Sequence, residues 1–428
     1  VKIERKRNKS RMAAGIGVLF FLIFFSWYIW GQQEANPVVM LEPDEMQEDF
    51  QFLIDEMLAK HPDPSRKMTK EVWDKRIAEI KSELDSEKST TDFYFILQEF
   101  VAEMEDAHTG LVMLDERRRL PLLLDWTEEG WTVLESGYGV EKGDLIVRIG
   151  GMEVEEIVKD LGRFVSAENP YWKKFRANYF IKDEYYLKKL SLVKNNQVVV
   201  TVENIQGEKR KVRIPLVKKE VADSQMTDAE DNWYSWYKRF NDSNTFGWSI
   251  DHENDIGYYY LHTCDDTREY RKSVSLFFKE VKRDGIGNIV IDLRQNPGGD
   301  SAVIVAFINR IQPSSINNYS NFTGNTYVLI SNHTFSSANM FASVIQENNI
   351  GILVGEPTGN SPFAFGEVIS GVLPNSKINL SLSTKEYILS KTYKDAIYPD
   401  YLVPKTRESI ISNKDIQLEK VIELIKEK

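Results

Sequence analysis

The chain has 428 residues, enough for two or three domains with ample core, and it holds no low-complexity tract or internal repeat. Its formal net charge is −11, and setting aside the five net positive charges of Val1–Arg11 leaves about −16 on the rest, which argues against nucleic acid and against docking on anionic lipid. The single Cys264 excludes an internal disulfide framework and reads as a structural thiol.

Val1–Arg11 carries six basic residues against one acid, Glu4, and Met12–Gln33 carries no charge. About 20 apolar residues are what a helix needs to cross a bilayer. Trp27, Tyr28 and Trp30 suit the outer interface, and the basic cluster suits the cytoplasmic side. The run is longer than the apolar region of a signal peptide and ends in aromatics, so an uncleaved anchor is the expectation. The alternative is a cleaved signal with Ala35 at its processing site. The reading is a basic tail (1–12), a transmembrane anchor (13–31) and a tether (32–42). Everything beyond would lie outside the cytoplasm, as a single-pass protein of the cell membrane.

A helical region (43–110) follows. Glu42–Lys60 carries Met46, Phe50, Leu53, Ile54, Met57 and Leu58; Lys70–Leu84 carries Trp73, Ile77, Ile80 and Leu84; Thr91–Met104 carries Ile96, Leu97, Phe100, Val101 and Met104. Spacings of three and four predict core-facing helices. The third runs into Asp106-Ala107-His108-Thr109-Gly110, placing His108 just past a helix end. The chain has five histidines, so a histidine base near neutral pH comes from His61, His108, His252, His262 or His333.

From 111 to 218 short strands and turns predominate. Gly143-Asp144-Leu145-Ile146-Val147-Arg148-Ile149-Gly150-Gly151 resembles the core of PDZ domains, with Gly150 where Asn is usual. Such domains bind an extended peptide by strand addition, and a purely structural role is the other reading. Residues 219–254 read as a linker.

From 255 to 428 buried strands alternate with helices: Ile256–Thr263, Arg268–Arg283, Asn288–Leu293, Asp300–Ile311, Thr326–Ser331, Ser336–Gln346 and Ile350–Val354, then a β-rich piece, Glu367–Tyr387, and a terminal helix, Asp415–Ile425. This predicts an α/β core with a mostly parallel sheet and ligand sites at the carboxyl ends of strands. Arg294-Gln295-Asn296-Pro297-Gly298-Gly299 after the second strand must turn sharply, and Asp292 and Arg294 need partners there. Ser336 and Ser337 fall at a helix N-terminus, whose first N–H groups lack intrahelical partners. Two roles are open to a serine there: an N-cap, or a nucleophile whose oxyanion those N–H groups stabilise.

The NIVIDLRQNPGG segment followed by TYVLISNHTFSSANMF resembles the tail-specific, or C-terminal-processing, serine peptidase family. DAHTG upstream, the PDZ-like insert and Gly355-Glu356-Pro357-Thr358-Gly359 occur in the same order in that family. The resemblance implies a serine endopeptidase, which the expected anchor would hold at the membrane, with Ser336 as nucleophile, Ser337 as runner-up, and the N–H groups of Gly298, Gly299 and Ser337 as oxyanion hole. Asn339 stands where the family often has Glu. The lysine that many members place after the serine is absent from Thr358–Gly366, and the next lysine is Lys377. This points to the histidine-using branch typified by the tricorn protease core, with His108 as general base. Asp395 is the expected acid behind it, with Glu386 and Asp106 as weaker choices. His333 reads as a turn residue and His262 as a core group.

No metal-ligand spacing and no phosphate or dinucleotide loop is visible, so no cofactor or metal is expected. Peptide or protein substrates are the expected partners. The competing reading is an inactive peptide-binding or small-molecule-binding protein on the same fold.

Overall fold

The computed structural model describes residues 38–113, 117–218, 222, 245–311 and 322–427. The expected basic tail and anchor, and most of the expected linker, lie outside the described residues. No helix among the described residues is long and apolar enough to cross a membrane.

Helices α1 (Pro43–Lys60), α2 (Lys70–Glu83) and α3 (Thr90–Ala102) form where the apolar spacing predicts them. α1 starts at a capping box between Glu42 and Glu45, with Pro43 leading the helix. It buries Met46, Phe50, Leu53, Ile54 and Met57 in one stripe. Leu58, expected on that stripe, is instead 61% exposed. One residue beyond Met57, it is turned about 100° around the axis. Thr69 and Ser89 cap α2 and α3 by accepting the N–H groups of Val72 and Asp92.

Strand β1 (Gly110–Val112) pairs antiparallel with a strand from far down the chain, Asn379–Ile388. Strands β2 (Leu124–Thr127), β3 (Gly130–Val133), β4 (Leu145–Ile149), β5 (Gln197–Glu203) and β6 (Lys209–Pro215) form an antiparallel sheet in the order β6-β5-β4-β3-β2. β5 buries Val198, Val200 and Val202 and leaves their neighbours more open, the period-two pattern of a sheet covered on one face. Between β4 and β5 lie α4 (Val154–Gly162), α5 (Pro170–Phe180) and α6 (Glu184–Lys189). The apolar residues of this module run without a break into those of α1–α3. The two regions expected as separate therefore share one hydrophobic core.

The last region is a three-layer α/β unit. Its strands are β7 (Phe246–Asp251), β8 (Ile256–Leu261), β9 (Asn288–Asp292), β10 (Asn325–Ile330), β11 (Ile352–Gly355) and, after a long hairpin of β12 (Phe363–Val372) and β13 (Asn379–Ile388), β14 (Tyr401–Leu402). The sheet runs β7-β8-β9-β10-β11-β14, parallel except for the β7–β8 pair. Helices α7 (Arg268–Arg283), α8 (Val303–Ile311) and α9 (Ser336–Glu347) contribute Phe277, Phe307 and Phe341 to the core on one face. Leu418, Val421 and Leu424 of α10 (Ile416–Lys426) cover the other. Being covered on both faces explains why β9 and β10 read as continuous apolar runs rather than alternating ones.

The charges at the end of β9 do find partners. Arg294 Nη2 donates to Asp292 Oδ2 at 2.6 Å, and Arg294 Nη1 to Asp415 Oδ1 at 2.7 Å and to Gln417 Oε1 at 3.0 Å. Asp415 is also the N-cap of α10, so one guanidinium ties the terminal helix to the sheet. Burial alone would raise the Asp292 carboxyl, but the Arg294 guanidinium overrides it and holds the acid below its usual range. Arg294→Met strands a buried carboxylate and is expected to cost about 3–5 kcal/mol, read by urea unfolding. A loss under about 1 kcal/mol, the scale of an exposed ion pair, would show that the network does not hold the helix.

Candidate active site

The site lies where the turns following β9 and β10 meet. Thr334, fully buried, donates its hydroxyl to the Leu293 carbonyl at 2.9 Å and accepts the Ser331 N–H at 2.9 Å. The Phe335 N–H donates to the Asn296 carbonyl at 3.0 Å. Asn296, itself fully buried, donates Nδ2 to the Leu261 carbonyl at 2.8 Å and accepts the Gly298 N–H on Oδ1 at 2.8 Å. Two connections distant in sequence are thereby clamped into one platform.

Glycine is required in that platform. Gly298 has φ +104°, and a Cβ added there would lie 2.4 Å from the Ser336 Cβ. Gly299 has φ +130°, and an added Cβ would lie 2.2 Å from the Cys264 carbonyl oxygen. Cys264 brackets the turn through its backbone: its N–H donates to the Gly298 carbonyl at 2.9 Å and its carbonyl accepts from Asp300 at 2.6 Å. Burial pushes its thiol up to about 12, so it is an inert structural group as expected.

Neither serine caps α9. The N-cap residue is Phe335, with no side-chain capping bond. Ser336 has φ +51°, a left-handed conformation that is strained for a residue with a Cβ and recurs at functional sites. Its hydroxyl makes no hydrogen bond among the described residues. The runner-up, Ser337, has its hydroxyl committed to the Gly299 carbonyl at 2.6 Å. Of the three N–H groups expected as an oxyanion hole, that of Gly298 is already given to Asn296. Those of Gly299 and Ser337 remain uncommitted among the described residues and flank Ser336.

His108 is delivered by a second clamp. Asp106, fully buried, accepts the His108 N–H on Oδ1 at 3.0 Å. Its Oδ2 accepts the Thr109 hydroxyl at 2.5 Å and meets His61 Nε2 at 3.1 Å. His61 Nδ1 accepts the Asp63 N–H, which leaves its proton on Nε2, facing Asp106. The imidazole of His108 lies against Phe335, ring centroids 4.6 Å apart, directly beside Ser336 in the chain. Phe335 stacks on Trp172 at 4.1 Å, Trp172 on Phe175 at 5.1 Å, and Phe175 on His333 at 4.4 Å, so α5 holds the row of rings in place. Both ring nitrogens of His108 are buried without a hydrogen-bond partner among the described residues, Ser336 included. Burial lowers its pKa below the usual 6.5 against the opposing pull of Asp106, leaving a neutral imidazole at pH 7.

Asp395 does not occupy the place behind His108. Its carboxylate accepts the Tyr398 hydroxyl at 2.9 Å, and its carbonyl accepts from Asn169 Nδ2 at 2.8 Å. Glu386 is likewise turned away, bound to Arg66 at 2.6 Å. Lys377 Nζ donates to the Pro374 carbonyl, in keeping with the absence of a lysine dyad. His333, as expected, serves the turn: its N–H donates to Ser331 Oγ at 3.1 Å.

The acid that does lie there was not anticipated. Glu168 Oε1 accepts the Ala107 N–H at 3.2 Å, and Oε2 accepts Asn360 Nδ2 at 3.1 Å. Asn360 Oδ1 in turn accepts the Ser336 N–H at 3.2 Å. Side-chain donor atoms of Asp106, His108 and Glu168 all lie within 4.8 Å of one another. The Asp106 oxygens are occupied by His61, Thr109 and the backbone, so the trio reads as acid–base groups rather than a cation cage. Asn169-Pro170 marks a helix start just after Glu168, but nothing in the local sequence places that start against the histidine.

Residues 255–400 match the model of peptidase family S41. The match supports a serine-type peptidase, a hydrolase of peptide bonds. Its fold is similar to that of mature CPAF complexed with lactacystin, with a TM-score of 0.67 at 14% identity over 90% of this chain and 98% of that one. It is also similar to a putative peptidase from Parabacteroides merdae, with a TM-score of 0.50 at 15% identity over 89% and 96% of the two chains. No curated protein matches the chain.

Two expectations follow from this geometry. Gly298→Ala drives the added methyl into Ser336, and a displacement near 1 Å is expected to cut peptidase turnover about 10²-fold. Unchanged turnover by a soluble, folded variant would show that the close approach is not needed. The depressed His108 pKa makes its contribution to stability fully present above the ordinary 6.5 and lost as pH falls through the lower folded value. Wild-type stability should therefore fall more steeply on acidification than that of His108→Gln, measured as Tm against pH; parallel curves would refute the shift.

Proposed function

We propose that the protein is a membrane-anchored, extracytoplasmic endopeptidase in which Ser336 is the nucleophile and His108 the general base. The observation that carries this reading is a neutral, buried and unpartnered imidazole packed on Phe335, beside a serine in a strained left-handed conformation. His108 takes the Ser336 proton as Oγ bonds to the scissile carbonyl carbon. The carbonyl oxygen becomes an oxyanion against the Gly299 and Ser337 N–H groups. The imidazolium then gives the proton to the departing amine as the C–N bond breaks. Water, deprotonated by His108 in its turn, hydrolyses the acyl-enzyme.

Hydrogen bonds between a catalytic serine and its base often tighten only in the Michaelis complex. The membrane placement rests on the uncharged run Met12–Gln33 and the basic cluster before it. Peptide or protein chains are the substrates this chemistry takes. Binding of an extended peptide by the module between 111 and 218 remains part of the same proposal.

Ser336→Ala should abolish turnover and labelling by a fluorophosphonate probe, while Ser337→Ala keeps the label. His108→Ala should lower turnover by about 10²–10⁴-fold without unfolding the protein. Lactacystin, seen bound to CPAF, is expected to block labelling. Label retained by Ser336→Ala, or full activity in His108→Ala, would overturn the assignment.

A further inference from the structure

We propose that Glu168 is the acid that positions His108, its carboxylate steadying the imidazolium formed when the ring takes the Ser336 proton. This rests on the reading of Ser336 and His108 given above. The argument begins with what a buried base needs. A neutral imidazole with no partner at either nitrogen has no hydrogen bond to set its tautomer, and the one negative charge near an imidazolium formed there, Asp106, is already committed elsewhere. Its oxygens already serve His61, Thr109 and the His108 main chain.

Glu168 differs. Each of its oxygens accepts one hydrogen bond from a neutral donor, the Ala107 N–H and the Asn360 amide, which leaves acceptor capacity on both. The gap to the histidine nitrogen is within 4.8 Å. A small side-chain rotation closes it, or one water bridges it with two bonds of about 2.8 Å. The Ala107 bond fixes Glu168 to the residue before His108, and the Asn360 bridge fixes it to the backbone of Ser336. The same carboxylate therefore sets the base and the nucleophile relative to each other.

The charged and titratable groups around Glu168 decide when it acts. Asp106, with His61 behind it, faces it from the loop after α3. Lys67 also feels the Glu168 charge, but is already paired with Glu105 at 3.0 Å. Burial first, and the Asp106 charge second, push the Glu168 carboxyl up to about 8. Below that pH it is a neutral acid that offers no counter-charge; above it the carboxylate is in place. Turnover should therefore rise with pH through about 8.

The test compares turnover against pH, from neutral to alkaline, for wild type, Glu168→Gln and Glu168→Asp, with Tm as a fold control. The wild type should show the alkaline rise. Glu168→Gln should lose it and fall about 10²-fold below wild type at the alkaline end. Glu168→Asp should keep the rise with a displaced midpoint. A Glu168→Gln enzyme that retains the rise, whether at full rate or uniformly slowed, would overturn the proposal and leave Glu168 a packing group. A readout independent of turnover uses the imidazole ¹⁵N resonances of His108 in a Ser336→Ala background. They should shift with a midpoint near 8 that disappears when Glu168→Gln is added. Resonances indifferent to Glu168 would sink this inference with the nucleophile intact. Activity surviving in Ser336→Ala would sink the nucleophile while the Glu168–His108 coupling still stood.

Discussion

The site depends on how closely two turns of a parallel sheet can approach. Neighbouring parallel strands place their carboxyl ends side by side, but the loops leaving them ordinarily diverge toward their separate helices. Here the buried Thr334 hydroxyl donates to the Leu293 carbonyl and the Phe335 N–H to the Asn296 carbonyl, joining the turns after β9 and β10, while the Asn296 side chain ties its own turn to the end of β8. Only a residue without a Cβ fits between them at Gly298. Ser336, whose Cβ lies against that glycine, holds the strained left-handed backbone as the chain enters α9. The Arg294 network beneath anchors the floor: Asp292 and Asp415 hold the guanidinium from two sides, and the Arg294 carbonyl accepts the Ser331 hydroxyl at 2.6 Å.

The proposed base, His108, reaches the serine from the N-terminal half because β1 completes the β12–β13 hairpin as a third strand. The register sets Ser381 opposite Gly110, and the Ser381 hydroxyl donates to the His108 carbonyl at 3.1 Å. Strand pairing fixes where the backbone lies, the Asp106 clamp fixes its turn, and the ring row from Trp172 fixes the imidazole plane. Three independent restraints on one side chain are what precise positioning of a base requires.

The legible parts of this arrangement were those written locally. The helical stripes, the alternation from 255 onward and the glycine turn each express themselves within a few residues, and the structure places all of them near their expected bounds. His108 and Ser336 sit at the ends of periodic elements, but it was the resemblance of their motifs to the tail-specific peptidase family that singled them out. The Ser336 environment could not be read so directly: a helix N-terminus suggested a cap, whereas the left-handed φ arises only from the tertiary approach of Gly298. Asp395 was chosen by its distance along the chain from the serine, yet its carboxylate is held by Tyr398, three residues away. Glu168 was hidden for the opposite reason. It precedes an ordinary helix start, and nothing in its neighbourhood reports that the loop folds back over the histidine. The assignment of three oxyanion donors failed on a single side chain, since only the folded turn reveals that Asn296 takes the Gly298 N–H.

The electrostatic logic then orders the pieces. Burial disfavours charge on His108 and on Glu168 alike, so the resting site keeps the imidazole neutral and the Glu168 carboxyl protonated near pH 7. Asp106 is the exception, with its pKa held low. Burial alone would raise it, and the His61 hydrogen bond leads the contributions that outweigh burial. The site thus contains one fixed negative charge, spent on holding the His108 backbone, and a second acid whose ionisation is conditional. Two carboxyl groups in one desolvated space cannot both ionise cheaply, and that repulsion raises the Glu168 pKa. A substrate that expels water and brings its own developing charge changes this balance at the moment of reaction. In the proposed mechanism, an imidazolium forming at His108 favours ionisation of Glu168 through the same short distance that now keeps the two carboxyl groups from ionising together.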